Sequence, residues 1–123
     1  MTSKSVLIVD DSMSVRNQLR QILESDGLYV CEAENGQRGL EVCRERSVDL
    51  VIVDVNMPVM DGIEMITKVR ELDQHKKTPI FVLTTESGLG TAKQGKAAGA
   101  TAWIVKPVNP DVLLRGVRGV LSR

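Results

Sequence analysis

A doubly wound α/β domain, a five-stranded parallel sheet flanked by five helices, is the fold that the sequence predicts, and three observations carry that expectation. Four short runs, residues 6–9, 50–53, 80–83 and 103–105, are apolar at successive positions rather than alternating, and rich in β-branched side chains. Such runs read as strands buried on both faces, as in a parallel sheet covered by helices. Segments of helical period separate them, the alternation that builds right-handed βαβ units. Each run also stops at a polar group: Asp10 and Asp11, Asp54, Thr84, and Lys106 in turn. The carboxyl ends of parallel strands share one rim, where open α/β sheets bind ligands. Three carboxylates, a hydroxyl and an ammonium are therefore expected to meet there.

The elements follow in order. After Asp11, Ser12 is placed to cap a helix with Val15, Leu19, Ile22 and Leu23 on one face, and Gly27 follows as its stop. Residues 29–33 are mixed in character and read as an edge strand; Asn35 and Gly36 then turn into a short helix carrying Leu40 and Cys43. Beyond Asp54, Pro58 and Gly62 break a loop before a helix expected to turn Ile63, Ile66, Val69 and Leu72 inward. Thr78 and Pro79 introduce the fourth strand. The next connection is rich in small residues: Gly88, Gly90, Gly95, Ala97, Ala98 and Gly99. A glycine inside a helix costs about 1 kcal/mol relative to alanine, so a helix between Thr91 and Ala98 is expected to be weak and is the candidate moving part. The last helix starts near Asn109 and Pro110, burying Leu113, Val117, Val120 and Leu121 and leaving Arg115, Arg118 and Arg123 to water.

A length of 123 residues suits one domain, 1–123, with no room for an output domain. No apolar run approaches the ~20 residues of a membrane span, and residues 1–5 are too short and polar for a signal peptide, so a cytoplasmic domain is expected. Cys31 and Cys43 lack ligand spacing and read as small buried apolar residues. The net charge of zero conceals two opposed halves. Residues 1–86 hold 10 Lys and Arg against 15 Asp and Glu, a net of −5; residues 87–123 hold 6 against 1, a net of +5. The division is either one of differently solvated faces or one of function, an acidic rim for a cation and a basic face for an acidic partner. Nucleic acid fits that face poorly: it has no dense basic run and one aromatic, Trp103.

Two like charges near 4 Å repel by about 4 kcal/mol at an effective dielectric of 20, so clustered Asp10, Asp11 and Asp54 call for protonation or a cation. Mg²⁺ suits an all-oxygen site completed by phosphate. With Lys106 on the same rim the charge is −2 before the metal and zero after it. Asp54 can then attack phosphorus to form an acyl phosphate, with Lys106 and Thr84 stabilising two of the phosphoryl oxygens. No His or Cys with a base partner stands near these strand ends; His75, the single histidine, lies in a polar helix-end stretch and is expected to be solvated. Taken singly, the residues have plainer readings as a helix cap, a turn former, an end-of-strand hydroxyl and a surface lysine. Their order at four consecutive strand ends argues for a joint role.

Asp10 and Asp11, the segment from Asp54, Val55, Asn56, Met57 and Pro58 through Asp61 and Gly62, then Thr84, and Lys106 with Pro107 together resemble the receiver domain of two-component response regulators, over essentially the whole chain. The resemblance implies a flavodoxin-like, CheY-type sheet of order 2-1-3-4-5. It implies that Asp54 accepts a phosphoryl group from a histidine kinase, and that Asp11, Asp54 and the carbonyl of Asn56 bind Mg²⁺, with Asp10 acting through water. It also implies a Lys106–Pro107 peptide that is often cis, and a Thr84 that moves toward the phosphoryl group. Trp103 occupies the place of an aromatic rotamer switch; a core aromatic on an edge strand is the competing reading.

Residues 54–62 and the stretch from Gly95 to Pro107 are most similar to stand-alone chemotaxis regulators. In those, the positions of Asn56 and Glu86 lie near the water of dephosphorylation. The partners implied are a chemotaxis-type histidine kinase, the flagellar motor switch engaging a face that holds Lys93, Lys96, Trp103, Arg115 and Arg118, and a dedicated phosphatase. A monomer is expected. Two other readings stay open: a phosphorelay intermediate, and an aspartyl-nucleophile phosphatase. The second is disfavoured because Asn56 stands where such an enzyme needs its general acid.

Overall fold

The computed structural model describes residues 4–55, 57–85 and 89–122, with the backbone alone for 89–92. Among these residues, five parallel strands form one sheet in the order β2-β1-β3-β4-β5: β1 Ser5–Val9, β2 Tyr29–Ala33, β3 Leu50–Asp54, β4 Ile80–Thr84 and β5 Ala102–Val105. The helices are α1 Met13–Ser25, α2 Gly36–Glu45, α3 Gly62–Val69, α4 Leu89–Ala98 and α5 Pro110–Leu121. No helix of the described residues is long and apolar enough to cross a membrane.

Side chains alternate between the two faces of a strand, so a run that is apolar throughout must be covered twice. Leu7, Val9, Val51, Val53 and Val82 pack with Leu40 and Cys43 of α2 and Met65, Ile66 and Val69 of α3. Val6, Ile8, Leu50, Ile52, Phe81 and Leu83 pack on the other face with Leu19 and Leu23 of α1 and Leu113 and Val117 of α5. Each fully buried Leu or Ile contributes roughly 1.5–3 kcal/mol, so the two layers clamp the central strands and set their carboxyl ends side by side.

Local chemistry fixes the helix starts. The hydroxyl of Ser12 accepts from Val15 N, Asn35 Oδ1 from Arg38 N, Asp61 Oδ1 from Glu64 N, and Asn109 Oδ1 from Asp111 N and Val112 N. Each satisfies an amide that the first turn leaves without a helical partner. Gly27, at φ +82°, follows the C-cap of α1 in the left-handed conformation that glycine adopts without steric cost.

Three expectations need correction. The strand β5 is not covered on both faces: Ala102, Trp103 and Val105 are exposed, because it is the last strand of the sheet. Helix α3 ends at Val69 and buries Met65, Ile66 and Val69; Ile63 is half-buried, and Leu72 packs on the core from beyond the helix. His75 is fully buried rather than solvated. Its flanking Asp73, Gln74, Lys76 and Lys77 made the stretch read as polar, but the 3-10 turn Asp73–His75 folds the ring inward. There Nδ1 pairs with Thr78 Oγ1 at 3.0 Å, and Nε2 meets the Arg46 carbonyl at 3.2 Å.

Arg70 ties together the segments that follow α3 and α4. Its Nε and Nη2 donate to the Gly99 carbonyl at 3.1 and 2.8 Å, and Nη1 to the His75 carbonyl at 2.8 Å. Within α4, Gly95 is a weak point with room to spare: a Cβ there would stand 3.8 Å from Ala100 Cβ and 3.9 Å from Val82 Cγ2, ordinary contacts. Gly95→Ala is therefore expected to stabilise the fold by about 1 kcal/mol, through helix propensity alone. Urea unfolding checks this; a lower midpoint would show that α4 needs its glycine.

Candidate functional site

Register brings the strand ends to one level: Val9 lies beside Val53, Asp54 beside Leu83, and Thr84 beside Val105. The residues at or just beyond these ends are Asp10, Asp11, Asp54, Thr84 and Lys106, and the fold gathers all five. Asp10 is wholly buried, Asp54 is 6 % exposed and Thr84 1 %, while Asp11 opens to solvent. Carboxylate oxygens of Asp10, Asp11 and Asp54 lie within 4.8 Å of one another. Lys106 Nζ sits 3.1 Å from Asp10 Oδ2 and 3.3 Å from Asp54 Oδ2.

Asp10 is held on every side. Its N–H donates to the Ala33 carbonyl at 3.2 Å, Oδ1 accepts from Ser12 N at 2.9 Å, and Oδ2 from Lys106. Its carbonyl accepts from Arg16 Nη1 at 2.6 Å. The Lys106 amide donates to the Thr84 carbonyl at 2.7 Å, and the Lys106–Pro107 peptide is cis. Asp54 owes its seat to a close approach of backbone: Gly62 N donates to Val55 O at 3.0 Å, and a Cβ on Gly62 would fall 2.3 Å from the Asp54 carbonyl oxygen. Next to this turn Val59 is exposed at φ +71°, a conformation that costs a β-branched residue energy.

Burial pulls the Lys106 ammonium toward lower pKa, yet the hydrogen bond to Asp10 and the charges of Asp54 and Asp10 outweigh it, and the net shift is upward. A raised lysine stabilises the fold below its ordinary value and loses that contribution only as pH rises past the folded value, so the ammonium is fully charged at neutral pH. Three carboxylates with one ammonium leave the rim at −2. Mg²⁺ takes oxygen ligands, keeps several waters and is commonly held by one or two carboxylates together with phosphate oxygens. The carboxylate oxygens at the rim lie within 4.8 Å of one another, and the all-oxygen donor set and the net charge both suit the ion.

Other expected residues fall elsewhere. Asn56 and Glu86 lie outside the described residues. Lys93 and Lys96 are exposed on α4, and Arg115 on α5. Trp103 is 37 % exposed, which sets aside its reading as a core aromatic in this structure. Arg118 is committed to Asp26 at the end of α1, with Nη2 2.5 Å from Oδ1 and Nε 3.2 Å from Oδ2. That pair draws the Asp26 carboxyl below its usual range and shares the charge of Arg118 with α1. Arg16 and its partner Glu32, 3.0 Å away, lie outside the motif at the strand ends. The available signal was an arginine one turn into the helix that follows the acidic pair, with a glutamate near the end of the adjacent edge strand.

Beside Lys106 an open apolar groove of about 330 Å³ is lined by Val15, Gln18, Thr85, Pro107 and Val108. A larger hollow of about 580 Å³, between Asp49 and Pro79, lies at the amino ends of the strands, away from this chemistry.

Residues 6–118 match the response regulator receiver domain family. The transcriptional regulatory protein SrrA of Staphylococcus aureus is 37 % identical over 121 residues, which are 98 % of this chain and 49 % of SrrA. The chain thus spans about half the length of the curated relatives it matches. Among solved structures, chemotaxis protein CheY4 of Vibrio cholerae is 43 % identical with a TM-score of 0.93, covering 97 % of this chain and 99 % of its own. The receiver domain of sensor histidine kinase PA1611 from Pseudomonas aeruginosa, with magnesium coordinated in its active site cleft, shares the fold. Its TM-score is 0.92 at 21 % identity, over 99 % of this chain and 100 % of its own.

Proposed function

This chain belongs to the response regulator receiver domain family, and from that premise we propose that it is a Mg²⁺-dependent, phosphorylation-driven switch whose acceptor is Asp54. The observation that carries the reading is the Lys106 ammonium bridging Asp10 and Asp54 at 3.1 and 3.3 Å, with a third carboxylate within 4.8 Å. Asp11 and Asp54 would hold the ion directly and Asp10 through water. Bound there, the ion supplies positive charge that offsets repulsion between the rim and an incoming phosphoryl dianion. Support for the choice of metal comes from the magnesium in the cleft of the Pseudomonas receiver domain.

The chain's own residues have distinct tasks. An oxygen of Asp54 attacks phosphorus in line with the donor imidazole nitrogen; the O–P bond forms, the N–P bond breaks, and its electron pair leaves with the imidazole. Lys106 neutralises one phosphoryl oxygen, and the Thr84 hydroxyl donates to another. Asn56 and Glu86 are proposed to set the lifetime of the acyl phosphate by their placement toward the hydrolytic water.

For the output, the likeness to CheY4 supports a chemotaxis role. The partners proposed are a chemotaxis-type histidine kinase, the flagellar motor switch and a dedicated phosphatase. Lys93, Lys96, Trp103 and Arg115 offer a basic, partly aromatic surface for an acidic amphipathic peptide. Two measurements test the reading. Phosphoramidate is expected to label the protein with MgCl₂ present and not in excess EDTA; equal labelling in both would remove the metal from the proposal. The labelled form is expected to bind a motor-switch peptide more tightly than the unlabelled form. Efficient onward transfer to a histidine phosphotransfer domain, with no such binding, would instead identify a phosphorelay intermediate.

A further inference from the structure

We infer that Arg16 is a positioning residue for the acidic rim: by gripping the Asp10 carbonyl it orients the peptide that aims Asp11 at the metal position. The inference deepens the proposed Mg²⁺-dependent reading and rests on it.

The geometry is specific. Arg16 Nη1 donates to the Asp10 carbonyl oxygen at 2.6 Å, and Nε donates to Glu32 Oε1 at 3.0 Å. One planar guanidinium therefore spans from β2 to the turn after β1, which a lysine ammonium, a single point of contact, does not reproduce. The Arg16 side chain is 13 % exposed, against 34 % for Arg20, one turn further on. Arg20 shares the same Glu32, through Oε2, and also pairs with Glu24 at 2.9 Å. Arg20 has no hydrogen bond to the rim among the described residues.

The carbonyl that Arg16 holds belongs to the peptide joining Asp10 to Asp11. Orienting that plane settles where the Asp11 backbone begins, and hence where its exposed carboxylate is carried. Asp10 itself is already fixed by Ala33, Ser12 and Lys106. The contact therefore acts chiefly on its neighbour. Groups that orient metal ligands from behind typically matter by about 10–100-fold in affinity.

Charge alone predicts the opposite sign, and this makes the idea testable. A cationic Arg16 near the rim disfavours a second cation, so if its charge were all that mattered, removing it would tighten Mg²⁺ binding. If it positions Asp11, removing it weakens binding.

The experiment is calorimetric titration of the whole chain with MgCl₂, comparing wild type, Arg16→Met and Arg20→Met, with urea unfolding of each. Arg16→Met is expected to bind Mg²⁺ about tenfold more weakly, and Arg20→Met to stay within about twofold of wild type although it loses two ion pairs of the same network. Unchanged or tighter binding by Arg16→Met would overturn the inference, as would an equal loss in Arg20→Met. If Arg16→Met does not fold, Arg16→Lys decides: weaker binding supports positioning, and wild-type affinity overturns it. A wild-type chain that binds no Mg²⁺ removes the reading of the site, a result distinct from any difference between the variants.

Discussion

Replacing Asp54 by Asn is expected to abolish covalent labelling by phosphoramidate or acetyl phosphate in the presence of Mg²⁺. The amide has nearly the volume of the carboxylate but no anionic oxygen with which to attack phosphorus, and loss of a nucleophile typically costs far more than about a thousandfold. The control lies in the same substitution. Asp54 is one of three carboxylates within 4.8 Å, balanced by a single ammonium. Neutralising it relieves like-charge repulsion at the cost of its pairing with Lys106, so the fold should survive. Intact-mass measurement of the label, alongside a urea midpoint no lower than wild type, checks both halves. Label that persists in Asp54→Asn would place the nucleophile elsewhere on the rim.

The second large effect is expected at Gly62, where substitution acts on the site through the backbone. A Cβ there would lie 2.3 Å from the Asp54 carbonyl oxygen and 3.0 Å from its carbon, atoms of a central strand that cannot step aside. Overpacking of that kind costs about 1–3 kcal/mol or more, and the roughly 1 kcal/mol gained from alanine at a helical position offsets part of it. Gly62→Ala is expected to lose about 2 kcal/mol by urea unfolding and to label more slowly even when fully folded. A stability equal to wild type would mean that the turn after β3 yields without disturbing Asp54. The contrast with Gly95→Ala, where the same change is expected to stabilise, separates a glycine that permits close approach from one that merely weakens a helix.

The fold was legible because its central strands obey one rule. Residues 6–9, 50–53 and 80–83 are apolar at each position, and all are covered on both faces. The same rule misled about burial at residues 103–105, since apolar composition says nothing of a strand's place in the sheet; the implied order 2-1-3-4-5, and not hydropathy, marked β5 as the edge it is. The site was legible for a related reason: Asp10, Asp54, Thr84 and Lys106 end or follow successive parallel strands, and parallel strands deliver their ends to one rim. What escaped notice was long-range and polar. His75 is buried by a contact with Arg46, 29 residues away, and Arg16 is aimed by Glu32 across two elements. Neither pairing leaves a periodic trace, since hydropathy patterns record which face is dry and not which polar groups meet.

Arg70 adds a mechanical consequence. Its two hydrogen bonds to the Gly99 carbonyl pin the chain just beyond α4 to the segment after α3. A rod pinned at one end turns about the pin. Ten residues of helix run about 15 Å, so a tilt of ~10° carries the end nearer Thr84 through ~2.6 Å while the end at Ala98 barely shifts. Spin labels at the two ends would register that inequality on phosphorylation. Under the proposed phosphorylation of Asp54, α4 would act as a pointer with its pivot at Gly99, turning a small displacement near Thr84 into an angle at the face that carries Lys93 and Lys96.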